Sequence, residues 1–200
     1  MPSRLDAHQF EKLLERCNTH HALSAAPGLD QSRCPERLAR LQQVADLYRG
    51  EFLEGLTVEH SPPLEEWINL QRQHFEVRVL AALSALTLGY EHQQDYGLAY
   101  QYAQRQINID PLREEGQRQT MRILARRGQR EEALALYDRL RRKLRKELGA
   151  EPAPETVELA KHIRRGTLAD GVTADSDQQI AAMPLSTRRF GNCGVRICTK

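Results

Sequence analysis

The sequence predicts an all-α fold built as a stack of antiparallel helix pairs, and three observations lead to this prediction. Apolar residues recur at helical spacing along most of the chain, as at Phe10, Leu13, Leu14 and Cys17. Proline and glycine separate these segments at positions typical of helix starts and stops. No segment shows the convincing alternation of apolar and polar residues that is typical of a half-buried β-strand.

One unit of the sequence occurs twice. The segment 94–99, QDYGLA, aligns with the segment 128–133, GQREEA, so that Ala99 corresponds to Ala133, 34 positions later. A period of about 34 residues is typical of the tetratricopeptide repeat, a helix–turn–helix unit that buries its apolar face by stacking on its neighbours. We therefore expect a tetratricopeptide-like, right-handed α-solenoid with further helices that cap its ends.

Two helices are predicted before the repeats. The first covers about 6–17, with Asp6 as its N-cap, and a loop over 20–34 follows it. The second is expected to begin at Pro35, because proline is favoured in the first turn of a helix. Gly50 is expected to stop it.

From the middle of the chain onward, the predicted helices are longer. One is expected to run from Pro63 into the first repeat, because helical spacing relates Trp67, Leu70, His74, Val77 and Leu80. Trp67 is expected in its core. The last helix of the second repeat should continue to about Leu148, because Arg145 stands where a terminating proline is expected. A final helix is predicted over about 154–164.

The composition fits a globular domain and excludes two classes of protein. The 200 residues include no run of 18 or more apolar residues, so no membrane-spanning helix is predicted. The N-terminus lacks the apolar segment of a secretory signal, and the four cysteines are too scattered for a disulfide scaffold. We therefore expect reduced thiols, a cytoplasmic location and no membrane contact.

No arrangement of residues predicts catalysis. Cys17, His20, His21 and Cys34 could be imagined as zinc ligands, but their spacing matches no standard zinc finger. The sequence contains no phosphate-binding loop of the G-x-x-x-x-G-K-[ST] type, and no histidine is paired by motif with a nucleophile. We expect the chain not to be an enzyme and to bind neither a metal nor a cofactor.

Charge is distributed unevenly, although the net charge is only +2. Positions 51 to 76 hold six acidic residues and one arginine, whereas positions 122 to 146 hold ten basic residues and three acidic ones. On the helix predicted there, four cations form a candidate basic surface: Arg141, Arg142, Arg145 and Lys146. They are interpreted either as a solvated helix end that complements the helix dipole or as a docking surface for an acidic partner or the DNA backbone.

A second candidate site lies on the first helix of the second repeat. Arg118, Arg122 and Arg126 follow one another at intervals of four residues and therefore share one helix face. In a stacked tetratricopeptide array the first helix of each unit lines the concave surface, so these residues would make one side of the groove basic. The groove is expected either to bind a partner through them or to expose them as a solvated face.

An ordered set of short motifs resembles one known family. The motifs are LYRGEFLEGL at 47–56, EW at 66–67, QR at 71–72, the two repeats, and ELGAEPAPET at 147–156. Together they cover about 6–165 and resemble the bacterial transcriptional activator domain. This domain is the tetratricopeptide-like half of the antibiotic-regulatory activator family, so the resemblance implies the same helical fold and a role in transcription.

The resemblance also implies how the parts of such a regulator are divided. Family members usually carry an N-terminal winged-helix domain before the helical half, and some carry an ATPase after it. Because this chain begins close to the helical half, we expect it to lack the winged helix. The residues 166–200 lose helical periodicity and are expected to form an irregular, disordered tail.

Two functions remain open from the sequence. The family resemblance favours a transcription-regulatory module that acts through protein–protein contacts, either by forming a homodimer or by binding DNA-binding regulator subunits or RNA polymerase. In this interpretation the chain meets DNA only through a partner, because its helices are needed to pack against each other and not to read a groove. The alternative is a generic tetratricopeptide-like scaffold that binds peptides and has no connection to transcription.

Overall fold

The computed structural model describes residues 4–23, 34–56 and 61–168, and within these stretches the chain forms α-helices and no β-strand. This confirms the all-α prediction. The helices are α1 Arg4–Leu23, α2 Pro35–Leu47, α3 Pro62–His92, α4 Tyr96–Ile109, α5 Glu114–Arg126, α6 Arg130–Leu148 and α7 Pro154–Arg165. Most of the predicted tail, 169–200, lies outside the described residues.

Each helix packs against the next one along the chain, and α5 also contacts α3 and α7. Contacts between a helix and the second helix after it are typical of stacked helix pairs, in which the first helices of successive units lie side by side. Helices α3 and α4 form the first predicted pair, and α5 and α6 form the second. The helices α1 and α2 pack on one side of these pairs, and α7 packs on the other.

The two repeat turns have the same backbone conformation. Gln94 and Gly128, which are equivalent in the alignment, both adopt a positive φ, of 62° and 78°. The amide of the following residue, Asp95 or Gln129, donates a hydrogen bond to a carbonyl five residues earlier, at 2.9 Å and 2.8 Å. This is the bonding pattern of the Schellman motif, which satisfies the free carbonyls at a helix end. The 34-residue alignment predicted from the sequence therefore pairs two turns that have the same positive φ and the same hydrogen bond.

The N-terminal helices differ from their predicted limits. Helix α1 begins at Arg4, ahead of Asp6, and continues to Leu23, so the predicted N-cap and the start of the predicted loop were wrong. Helix α2 ends at Leu47 and not near Gly50, because the chain turns into an extended conformation at the next residue. That turn brings the segment after α2 onto the core, a tertiary contact that a local pattern does not record.

Two clusters of buried apolar side chains hold the stack together. The first joins α1 to α4 together with Ile123 of α5, and it contains the edge-to-face pair of Phe10 and Phe75, with ring centroids 5.6 Å apart. The second joins α5, α6 and α7 and contains Met121 and Ile163. Tyr100 of α4 packs against both clusters. The helix pairs are therefore connected through α4 as well as through the direct contact of α3 with α5.

Trp67 is not a core residue, which corrects the prediction. Its side chain is 49% exposed, and its nearest aromatic contact is the ring of Phe52, at 6.2 Å between centroids. The neighbouring residue Ile68 is buried in its place, together with Phe75 two turns later. Arg72 on the same side of α3 donates a hydrogen bond to the carbonyl of Phe52 at 3.0 Å. Contacts with the chain segment after α2 therefore determine which face of α3 is buried.

Candidate interaction surfaces

The arginines of α5 face the interior of the stack. Arg122 is only 6% exposed, and its Nη2 lies 3.5 Å from Oε2 of Glu91, a buried carboxylate on α3. Arg126 places Nη1 3.0 Å from the other carboxylate oxygen of Glu91. Because a buried carboxylate is costly without a counter-charge, the contact between α3 and α5 draws both guanidinium groups inward.

Arg118, the third residue of the predicted basic face, contributes to the docking of α7. Its Nη1 donates a hydrogen bond to Oγ1 of Thr156 at 3.2 Å. Glu114 on α5 accepts from the backbone amide of Ala153 at 2.9 Å and from the Thr156 hydroxyl at 2.5 Å. The carboxylate of Glu114 therefore caps the N-terminus of α7, where negative charge is favourable.

The contacts of the three arginines differ from the open basic groove that the sequence predicts for α5. Arg118, Arg122 and Arg126 link α5 to α3 and α7 and do not form an open basic stripe along a groove. The spacing of the three arginines was read correctly as one helix face, but that face is covered by neighbouring helices. Binding of a partner by these three residues stays a prediction.

A layer of buried polar side chains fills the space between α3, α4 and α5. Ser84 donates a hydrogen bond to Glu115 and accepts one from Gln119, both at 2.7 Å. Gln119 in turn accepts a hydrogen bond from Gln106 of α4 at 2.8 Å. Arg113 pairs with the second oxygen of Glu115. Because these bonds require fixed positions of three helices, the layer specifies their register.

The four cations predicted on α6 are all exposed, as expected of a surface site, but two of them have a partner. Arg141 donates to Glu151 at 3.1 Å, and Arg145 donates to the same carboxylate. The hydrogen bonds from Arg145 and Arg141 hold the pKa of the Glu151 carboxyl below its usual range. Among the described residues, Arg142 and Lys146 have no ion-pair partner.

The remaining charge on α6 is concentrated in its second half. Arg139 is exposed as well, whereas Lys143 lies 3.9 Å from Glu147 one turn later. The helix ends at Gly149, which adopts a positive φ of 64°. Cations near a helix C-terminus are stabilised by the helix dipole, so part of this charge has a structural role. The positive charge on α6 that has no ion-pair partner among the described residues is centred on Arg142.

The face of α3 that carries Trp67, Leu70 and Val77, which the sequence spacing picked out with Trp67 expected in the core, is exposed in the structure. We define the apolar stripe as Trp67, Leu70, His74 and Val77. Its three large hydrophobic side chains are 49%, 52% and 56% exposed, in chain order. The intervals of three, four and three residues place all four on one helix face, opposite the face that buries Ile68. Helix α3 therefore has two apolar faces offset by one residue, and the sequence pattern alone did not show that the face of Ile68 and Phe75 is the buried one.

His74, in the middle of the apolar stripe, is half-buried and lies near charged groups of both signs, Glu11 and Arg78. Its Nε2 lies 3.7 Å from Oε1 of Glu11 on α1. Burial, together with the positive charge of Arg78, lowers the pKa of the imidazole, although Glu11 acts in the opposite direction. The lowered pKa favours the neutral form of the imidazole, and the carboxyl group of Glu11 lies beside it.

One known family has a model that matches all seven helices that the structure describes. The family model of the bacterial transcriptional activator domain matches residues 5–164, from the start of α1 to the end of α7. The chain belongs to this family. A comparison with curated proteins finds no match. Membership makes this a domain of the transcription-activator type, and it confirms the resemblance seen in the sequence motifs.

A crevice lined by Tyr48, Phe52 and Phe75, among others, has room for about one water molecule. No group of three His, Cys, Asp or Glu side chains that could hold a metal occurs among the described residues, and the side chains of His20 and His21 lie outside them. None of the described helices is long and apolar enough to cross a membrane. The basic residues of α6 and the apolar stripe are two exposed surfaces of the described residues.

Proposed function

We propose that this activator domain is a cytoplasmic transcription-regulatory module that acts through protein–protein contacts. Its partners are DNA-binding regulator subunits or RNA polymerase, and DNA is read by another domain or chain. Family membership over residues 5–164 is the observation that carries the proposal. The contacts of the α5 arginines support it. Because these side chains bind α3 and α7, a partner would contact the outer faces of the stack.

The contact surface we assign to this function is the basic face of α6. Arg142 and Lys146 are exposed and have no ion-pair partner among residues 61–168 and the other described stretches. Arg141 and Arg145 share the single carboxylate of Glu151, so this pair of arginines adds net positive charge beside Arg142 and Lys146. A partner with an acidic face would complement this surface, and such complementarity contributes to specificity and association rate more than to affinity.

The proposal is tested by tethering the complete chain to a heterologous DNA-binding domain upstream of a reporter promoter. We expect the fusion to change transcription several-fold compared with the DNA-binding domain alone. The double variant Arg142→Glu and Lys146→Glu should abolish most of this change, because it reverses the charge that the partner contacts.

The matched control reverses the same amount of charge elsewhere. Lys12→Glu combined with Arg49→Glu alters two exposed cations on α1 and after α2, far along the chain from α6. This control should keep the reporter response, and both variants should keep the circular dichroism of the parent. A fusion that leaves transcription unchanged would contradict the proposed function, and an equal loss in both double variants would contradict the assignment to α6.

A further inference from the structure

Two arginines near the end of α6 hold one carboxylate between them. Arg145 donates from Nε and Nη2 to Oε1 of Glu151, and the Nε bond is 2.8 Å long. Arg141 donates from Nε to Oε2 of the same carboxylate at 3.1 Å. The two arginines are one helical turn apart, so their side chains are neighbours on the surface of α6. Because each carboxylate oxygen has a guanidinium donor, the pair Arg141 and Arg145 is an anion-binding site, which we call the arginine clamp.

The backbone of the turn that carries Glu151 is held by contacts that do not involve this side chain. On one side, Gly149 ends α6 with a φ of 64°. On the other side, Pro152 is buried and the amide of Ala153 donates a hydrogen bond to Glu114 at 2.9 Å. The Glu151 side chain can therefore leave the arginine clamp while the turn between α6 and α7 keeps its conformation.

The arginine clamp is open to solvent. The side chains of Arg141, Arg145 and Glu151 are 46%, 58% and 56% exposed. Ion pairs as exposed as these contribute little to stability, because water solvates the separated charges almost as well. An external anion can therefore reach both arginines, and the domain loses little stability when Glu151 turns away. The pair of Arg122 and Glu91 between α5 and α3 is buried and offers no such access.

The arginine clamp borders the surface that we assign to a partner. Arg141 and Arg145 each directly precede one of the two cations, Arg142 and Lys146, that have no ion-pair partner in the described stretches of the chain. A partner that places carboxylates against these two cations brings negative charge close to Glu151. Like charges at an interface repel each other, so Glu151 opposes binding as long as it stays in the clamp. A carboxylate of the partner that replaces Glu151 removes this repulsion and keeps both guanidinium groups paired.

We infer that Glu151 is an autoinhibitory side chain, which fills the arginine clamp in the free domain and is displaced by a carboxylate of an acidic protein segment. The inference rests on the proposed function for the nature of the partner. It deepens that proposal, because it adds Arg141 and Arg145 to the contact surface and makes access to them depend on Glu151. The step is an exchange of one ion pair for another, so competition with Glu151 lowers the affinity for the partner.

Fluorescence anisotropy of a labelled oligoglutamate peptide, titrated with the full chain, tests the inference. At physiological ionic strength the Debye length of about 8 Å limits the readout to nearby charges. Glu151→Gln should lower the dissociation constant of the peptide about three- to tenfold, because a neutral amide competes poorly for two guanidinium groups. Glu147→Gln is the matched control. It also removes a carboxylate paired with a cation of α6, Lys143, but leaves the clamp filled, so the change should be less than about twofold.

A cycle of substitutions separates displacement from a general change of charge. In a chain that carries Arg141→Gln and Arg145→Gln, Glu151 has no clamp to fill, so adding Glu151→Gln should improve binding less than about twofold. A full gain without the two arginines would overturn the inference, as would an equal gain from Glu147→Gln. An affinity that Glu151→Gln leaves unchanged, or a peptide that binds none of the variants, would overturn it as well.

The reporter fusion distinguishes a failure of this inference from a failure of the proposed function. In an active fusion, Glu151→Gln should increase the change in transcription and Glu147→Gln should not. A fusion that leaves transcription unchanged, while the peptide shows the expected gain, would contradict the proposed function alone. An active fusion that responds equally to the two substitutions would contradict the autoinhibitory role of Glu151 alone.

Discussion

Gln94 occupies a position that favours glycine. Its φ of 62° lies in the left-handed region, and the equivalent residue in the second repeat is Gly128. A side chain with a Cβ costs about 1 kcal/mol or more in that region. We expect Gln94→Gly to raise the free energy of unfolding by about 0.5–1 kcal/mol, after allowance for the greater freedom of glycine in the unfolded chain. Urea denaturation measures this difference.

The neighbouring glutamine serves as the control for that substitution. Gln93 is exposed as well, but its φ of −80° is in the right-handed region. Glycine gains nothing there and loses backbone entropy, so Gln93→Gly should lower the free energy of unfolding by several tenths of a kcal/mol or more. Equal effects of the two substitutions would show that the backbone strain at position 94 is absent.

Gly116 allows α5 to approach α4 closely. A Cβ at this position would lie 3.1 Å from the Cβ of Gln106, whose side chain is held by buried hydrogen bonds to Thr87 and Gln119. We expect Gly116→Ala to destabilise the chain by about 1–3 kcal/mol, because the neighbour cannot move away. Gly97→Ala on the exposed side of α4 should instead be neutral or stabilising in the same urea titration.

His74 should make stability depend on pH. Burial, with Arg78, lowers the pKa of its imidazole in the folded chain below the value near 6.5 of an unfolded chain. Between these two pKa values the unfolded state binds more protons, so the free energy of unfolding falls as the pH decreases through this window. His74→Gln should remove part of this slope. Urea titrations from pH 7.5 to pH 5 test it, and an unchanged slope would exclude His74 as the source.

At the scale of the helices, Glu91 is the residue that joins α3 to α5. It is 3% exposed and lies against Arg122 and Arg126. Glu91→Gln keeps the shape of the side chain but removes the buried negative charge that faces two guanidinium groups, so we expect the free energy of unfolding to fall by roughly 3 kcal/mol. The same substitution at the exposed Glu51 should change stability by less than about 0.5 kcal/mol. Thermal melts of the two variants give the comparison.

The start of α2, the end of α6 and the extent of α7 could be predicted because local residues set them. Asp95 caps α4 by accepting a hydrogen bond from the amide of Leu98 at 3.0 Å. Gly149 ends α6, and Pro154 begins α7. Each of these signals acts within one turn of the residue that carries it, so it is visible in the sequence.

Features that depend on which helices become neighbours could not be predicted in this way. Arg122 was expected to lie in a groove, because its periodicity does not reveal that Glu91 lies across from it on α3. Trp67 was expected in the core, since the face of α3 that is buried depends on the segment around Phe52. The basic surface of α6 was predictable in position, whereas the partial neutralisation by Glu151 was not, because it requires the turn between α6 and α7.

At the scale of the whole molecule, stability should depend on the small residues between the helices of each pair. Ala99 and Ala133 are both completely buried. Arginine at either position would separate two helices and disrupt a core cluster, and we expect the cooperative melt to be lost or its midpoint to fall sharply. Ala135→Arg on the exposed side of α6 is the control and should melt like the parent. Unchanged melts of the Ala99→Arg and Ala133→Arg variants would contradict the repeat register.

The uneven charge gives the molecule a permanent electric dipole moment. Acidic residues such as Glu65 and Glu66 cluster at the start of α3, while the cations around Arg142 lie on α6, with α4 and α5 between these helices. A chain with a net charge of only +2 is attracted weakly as a whole, but near a charged surface its acidic and basic regions experience opposite forces, which together exert a torque. An acidic surface would therefore turn the domain so that α6 faces it.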